Sequence, residues 1–129
     1  MPKILLVADA EWVVNDVRAA LADARYDIST VADPREAADA WYDEEPDVAI
    51  VDLQVGSMGG FAVTRALRSA AGRLDEPPTP TIVLLDRTVD TFLAGRSGAD
   101  AWLLKPFSSF GLQDLVDRLA AAEAAEQSS

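Results

Sequence analysis

Four stretches of four residues each are apolar without a break: Ile4-Leu5-Leu6-Val7, Val48-Ala49-Ile50-Val51, Ile82-Val83-Leu84-Leu85 and Ala101-Trp102-Leu103-Leu104. Such short runs read as strands covered on both faces. A fifth run, Tyr26 to Val31, alternates instead, with Ile28 and Val31 set against Asp27 and Thr30, which suits an edge strand.

Helical periodicity fills the gaps between these runs. Val13, Val17, Leu21 and Ala24 make one stripe, Val63, Leu67 and Ala70 another, and Leu112, Leu115, Val116 and Leu119 a third. Asp33-Pro34-Arg35-Glu36 reads as an N-cap, a proline at the first helical position and a capping-box glutamate. Val89, Phe92 and Leu93 predict a short helix before Gly98, and Ser109 is placed to cap the last one. Strands alternating with helices imply right-handed crossovers and a parallel sheet with helices on both faces. Gly72 to Pro80 is a connector, because the next strand follows at once. Ala120 to Ser129 has no apolar stripe and reads as a helix end or linker. The expected division is therefore one domain over 1–120 and a tail over 121–129.

Composition narrows the chemistry. With 129 residues there is room for one domain, and 11 bases against 22 acids leave a net charge of -11. That surface repels phosphate backbones and anionic headgroups, so neither nucleic acid nor membrane is an expected direct partner. Cysteine and histidine are both absent, which excludes disulfides, thiolate metal sites, zinc sites of the ordinary kind and histidine-based nucleophilic catalysis. The apolar runs are too short to span a bilayer and no signal peptide is evident, so a cytoplasmic protein is expected.

The charges that remain are unevenly placed. In open α/β sheets ligands bind beyond the carboxyl ends of the strands. The run from Ile4 ends in Ala8-Asp9, that from Val48 in Asp52, that from Ile82 in Asp86 and that from Ala101 in Lys105, so three carboxylates and one ammonium are placed on one rim. Any one of them is an ordinary surface charge. Four in register call for a cation to offset the repulsion, and an all-oxygen ligand set favours Mg²⁺.

Lys3-Ile4-Leu5-Leu6-Val7-Ala8-Asp9, Pro46-Asp47 leading to Val51-Asp52-Leu53, Gly59-Gly60-Phe61, Gly98-Ala99-Asp100 and Lys105-Pro106-Phe107 occur in that order. Together they resemble the receiver domain of bacterial two-component response regulators, of the chemotaxis-regulator type, from residue 3 to about 120. The resemblance implies a flavodoxin-like, doubly wound five-stranded parallel sheet in the order 2-1-3-4-5 with five helices. It implies that Asp52 accepts a phosphoryl group from a histidine kinase or phosphotransfer protein. Mg²⁺ would be held by Asp9, Asp52 and the backbone carbonyl of Gln54. Lys105 would pair with the phosphoryl group, across a Lys105-Pro106 bond that is typically cis. Trp102 stands where the family has a switching aromatic. The fourth helix, fifth strand and fifth helix would form the face that docks an effector or a second copy, with Phe92, Trp102 and Phe107 as aromatic area. Such a domain signals by contact and is not an enzyme.

The sequence departs from that pattern in three places. Ala8 replaces the first of two adjacent acids, which weakens the metal site, and Glu11 is the nearest substitute in sequence. Asp86 stands where the family has a threonine or serine that drives the switch, with Thr88 the nearest hydroxyl and Arg87 a possible partner for the carboxylate. Val55-Gly56 replaces a Met-Pro pair. These departures leave weakened phosphorylation at Asp52 as the leading expectation and a phosphorylation-independent interaction module as its rival. A haloacid-dehalogenase type of phosphatase would need a second aspartate two residues after the nucleophile, where Gln54 stands. Trp12 and Trp41 are expected to be packing residues, and Asp43-Glu44-Glu45 a solvated helix end.

Overall fold

The structure is a computed structural model that describes residues 2–23, 25–56 and 59–127, with side chains through residue 122. Five parallel strands, β1 (Lys3–Val7), β2 (Asp27–Val31), β3 (Val48–Asp52), β4 (Thr81–Leu85) and β5 (Ala101–Leu104), lie in the order β2-β1-β3-β4-β5. Between and after them run α1 (Glu11–Ala20), α2 (Ala37–Glu44), α3 (Gly60–Arg73), α4 (Thr91–Arg96) and α5 (Ser109–Gln127). This is the flavodoxin-like α/β arrangement expected from the sequence.

Pleating sorts the apolar runs into two cores, because successive strand residues point to opposite faces. Ile4, Leu6, Val48, Ile50, Ile82 and Leu84 face α1 and α5, meeting Val13, Val17, Leu21, Leu112 and Val116. Leu5, Val7, Ala49 and Val51 face α2 and α3, meeting Ala37, Trp41, Val63 and Leu67. Each large aliphatic side chain so buried contributes about 1.5–3 kcal/mol relative to exposure. A smaller cluster joins Val83 and Leu85 to Ala94 of α4 and to Phe61.

Several local expectations are corrected. β5 is not covered on both faces: Trp102 and Leu104 are each 37% exposed. The six residues of α4 are too few to roof that side, so β5 behaves as an edge strand like β2. Asp33 does cap, accepting from the Arg35 backbone N–H at 3.0 Å, but it opens a 3₁₀ turn, Pro34–Glu36, and no capping box forms. The cap of α5 is Ser108 rather than Ser109, its Oγ accepting from Gly111 N–H at 2.9 Å. α1 ends at Ala20 with Leu21 as its C-cap, and the Ala24 of the predicted stripe lies outside the described residues. Apart from these corrections, α5 runs from Ser109 through Gln127, the reach of the helix end that the sequence allowed beyond residue 120.

Candidate functional site

The site forms where register carries the charges. Val7 lies opposite Val51 and Leu85 opposite Leu104, so one step further along the strands Ala8 adjoins Asp52 and Asp86 adjoins Lys105. Leu85 fixes Lys105 by accepting its backbone N–H at 2.8 Å. These positions continue the pleat face that packs on α1 and α5.

Lys105 is the hub. Its Nζ donates to Asp52 Oδ1 at 2.6 Å and lies 3.1 Å from Asp86 Oδ1. The Lys105 and Asp52 side chains are nearly inaccessible, at 5% and 1%, whereas Asp86 is 31% exposed. Attraction within a pair that dry is screened far less than at a surface. Trp12 stands over the same ammonium, 5.2 Å from ring centre to Nζ, while remaining 55% exposed. The expected packing role of Trp12 is therefore corrected: its ring covers the lysine of the site. Helical spacing alone gives no sign of this, since the contact depends on the first turn of α1 and the residue after β5 meeting at one edge of the sheet. Trp41, by contrast, is buried against α3 and β3.

Asp52 Oδ1 also receives the Gln54 N–H at 3.4 Å, a long bond. Its Oδ2 is buried and has no hydrogen-bond partner among the described residues. A buried carboxylate oxygen without a donor is costly unless a cation or a reacting group meets it. Asp9, exposed at the same edge, accepts the Gly56 N–H at 2.9 Å and so ties the end of β1 to the loop that leaves Asp52. Among the described residues no three acidic side chains gather into a metal-holding group. Asp9 and Asp52 are the two carboxylates at this edge, tied to the same loop through Gly56 N–H and Gln54 N–H. The free Oδ2 of Asp52 is the observation that favours a cation there.

The neighbouring residues divide clearly. Asp86 turns to Lys105 and not to Arg87, which instead pairs with Asp90 at 3.2 Å. Thr88 is exposed at the start of a 3₁₀ turn, and Glu11 is exposed in the first turn of α1. Trp102 packs toward α4, where a Cβ on Gly95 would meet its ring at 3.6 Å. Phe107 packs on the α1/α5 core, so it offers less surface aromatic area than expected. The Lys105-Pro106 bond is cis.

A buried carboxylate at a strand end, one oxygen held by an ammonium and the other free, is an arrangement in which the free oxygen can act as a nucleophile and the ammonium can meet negative charge that develops on the group attacked. A five-stranded sheet of this order carrying that aspartate and lysine defines a class, and comparison with known proteins agrees with it. The family model for the response regulator receiver domain matches residues 4–119, and the chain belongs to that family. Among solved structures, it is similar to the chemotaxis response regulator CheY4 of Vibrio cholerae, with 32% identity over 92% of this chain and 98% of that one, TM-score 0.76. A receiver domain of a Francisella response regulator shares 26% identity over 95% of this chain and 98% of the other, TM-score 0.80. The receiver domain of a signal transduction histidine kinase from Syntrophus aciditrophicus shares 28% over 95% and 92%, TM-score 0.80. Receiver domains act in two-component signalling, where phosphorylation on an aspartate and Mg²⁺ at that site are general. They interact with histidine kinases and effector domains and are signalling domains, generally not enzymes. Among the described residues no helix is long and apolar enough to cross a membrane.

Proposed function

We propose that Asp52 is the phosphoacceptor of this receiver domain and that Asp86 weakens its phosphorylation. The observation that carries the reading is the buried Asp52–Lys105 pair at 2.6 Å with Asp52 Oδ2 left free. A carboxylate oxygen of Asp52 attacks the phosphorus of a phosphohistidine on a cytoplasmic histidine kinase or phosphotransfer protein. The phosphorus–nitrogen bond breaks, and its electron pair stays on the imidazole. Lys105, already on Oδ1, is placed to pair with the charge that the phosphoryl oxygens bring. Asp9, Asp52 and the Gln54 carbonyl are the residues that would hold Mg²⁺, and bound there the ion supplies further positive charge to those oxygens. Trp102 and the face it shares with α4 and α5 would carry the signal to an effector or a second copy.

Asp86 opposes this chemistry. Its carboxylate lies 3.1 Å from the same ammonium the phosphoryl group must use, and Ala8 removes one acid from the metal site. Those two observations also favour a second reading, a receiver fold that signals without phosphorylation. Incubation with acetyl phosphate and Mg²⁺ followed by intact mass separates them. One added phosphate, lost in Asp52→Asn, supports phosphorylation, whereas no addition at saturating donor supports the second reading.

A further inference from the structure

Four of the eleven bases of this acidic chain lie on two helices that carry no acid. α3 and α4 together carry Arg65, Arg68, Arg73 and Arg96 and not one aspartate or glutamate, although acids outnumber bases two to one in the whole sequence. The two helices border a groove of about 170 Å³ lined by Phe61, Arg65, Phe92, Leu93, Arg96 and Ser97. Phe92 and Leu93 are 67% and 52% exposed, and both Arg65 and Arg96 are exposed. Among the described residues neither arginine has an ion-pair partner, and Arg96 lies 5.6 Å from the centre of the Phe92 ring.

We propose that this groove docks an acidic peptide segment of a partner protein, one apolar side chain seated against Phe61 and Phe92 and carboxylates paired with Arg65 and Arg96. Aromatic residues and arginine are the side chains that most often anchor interfaces. The volume suits a single large side chain and falls short of the roughly 300 Å³ at which clefts for whole small molecules begin. Charge complementarity selects the partner: at a net charge of -11 most of the surface repels an acidic segment, and this groove is where the repulsion reverses. The groove lies between α3 and α4, and neither Trp102 nor Leu104 is among its lining residues.

The test is to pan the full chain against a displayed library of random peptides at low salt, then measure a synthetic enriched peptide by fluorescence anisotropy. The expected peptides place Asp or Glu beside one Leu, Phe or Trp. Their affinity should fall with added salt, and by roughly tenfold or more in Arg65→Glu/Arg96→Glu. Circular dichroism monitors the fold, and Arg65→Gln/Arg96→Gln gives the same reading without a charge reversal. Absence of enrichment, enrichment of neutral or basic peptides, or binding unchanged in both double variants overturns the proposal. So does displacement of the peptide by an oligonucleotide, or self-association in sedimentation that the same variants abolish.

Discussion

Asp86 and Lys105 are brought together by one step of strand register beyond Leu85 and Leu104, and that step gives the site its character. Two like charges about 4 Å apart at an effective dielectric of about 20 repel by roughly 4 kcal/mol, about a thousandfold in an equilibrium. Lys105 and a bound cation absorb part of this repulsion. Asp86→Thr should therefore raise the fraction of Asp52 phosphorylated at a fixed acetyl phosphate concentration by tenfold or more at low occupancy, about 1.4 kcal/mol, as read by intact mass. A lower yield in that variant would make Asp86 a working part of the transfer. The same geometry predicts unequal stability losses. Lys105→Met strands the buried Asp52 charge and should cost about 3–5 kcal/mol in urea denaturation. Asp52→Asn leaves Lys105 its contact with Asp86, 3.1 Å away, and should cost clearly less.

At the scale of elements, the site depends on how closely α3 starts against the end of β3. A Cβ on Gly60 would lie 2.7 Å from Asp52 O and 2.8 Å from Leu53 Cα, both backbone atoms that cannot swing aside. The helix start is held there by Gly60 N–H donating to Leu53 O at 2.9 Å and by Thr64 Oγ1 donating to Gly60 O at 2.9 Å. Gly60→Ala should cost about 1–3 kcal/mol by overpacking and should also lower phosphorylation of Asp52, because relief requires the acceptor backbone to move. Denaturation and intact mass on the same sample check both halves. The brevity of α4 is the second element-scale feature, since it leaves the outer face of β5 and the α3–α4 groove open to partners.

Over the whole molecule, the chain is closed by contacts between distant segments. Tyr26, just before β2, donates its hydroxyl to Asp117 of α5 at 2.9 Å, across 91 residues. Burial first, then the hydrogen bond and the charge of Asp117, push the Tyr26 phenol from 10.0 up to about 12. A raised value means the folded state holds this proton more tightly than the unfolded one. The stability it contributes is complete below pH 10 and is lost as pH rises through about 12. Absorbance of ionised tyrosine should show a late transition that Tyr26→Phe removes. The variant should also lose less stability across that interval, measured by denaturant titration at each pH.

The sequence by itself determined the alternation of strands and helices, because period and run length are written in local apolar pattern and need no partner. It also determined that Asp9, Asp52, Asp86 and Lys105 lie at or just past strand ends, since a charge directly after an apolar run marks a strand's exit from the core. Tertiary structure alone decided which of those charges meet. Register placed Asp86 on Lys105, and the loop after β3 took Asp9 through Gly56. The first turn of α1 laid Trp12 over the ammonium. The same holds for β5, whose apolar run reads as doubly covered although α4 is too short to cover it. Burial is a property of what packs alongside, and no residue's own sequence neighbours carry it.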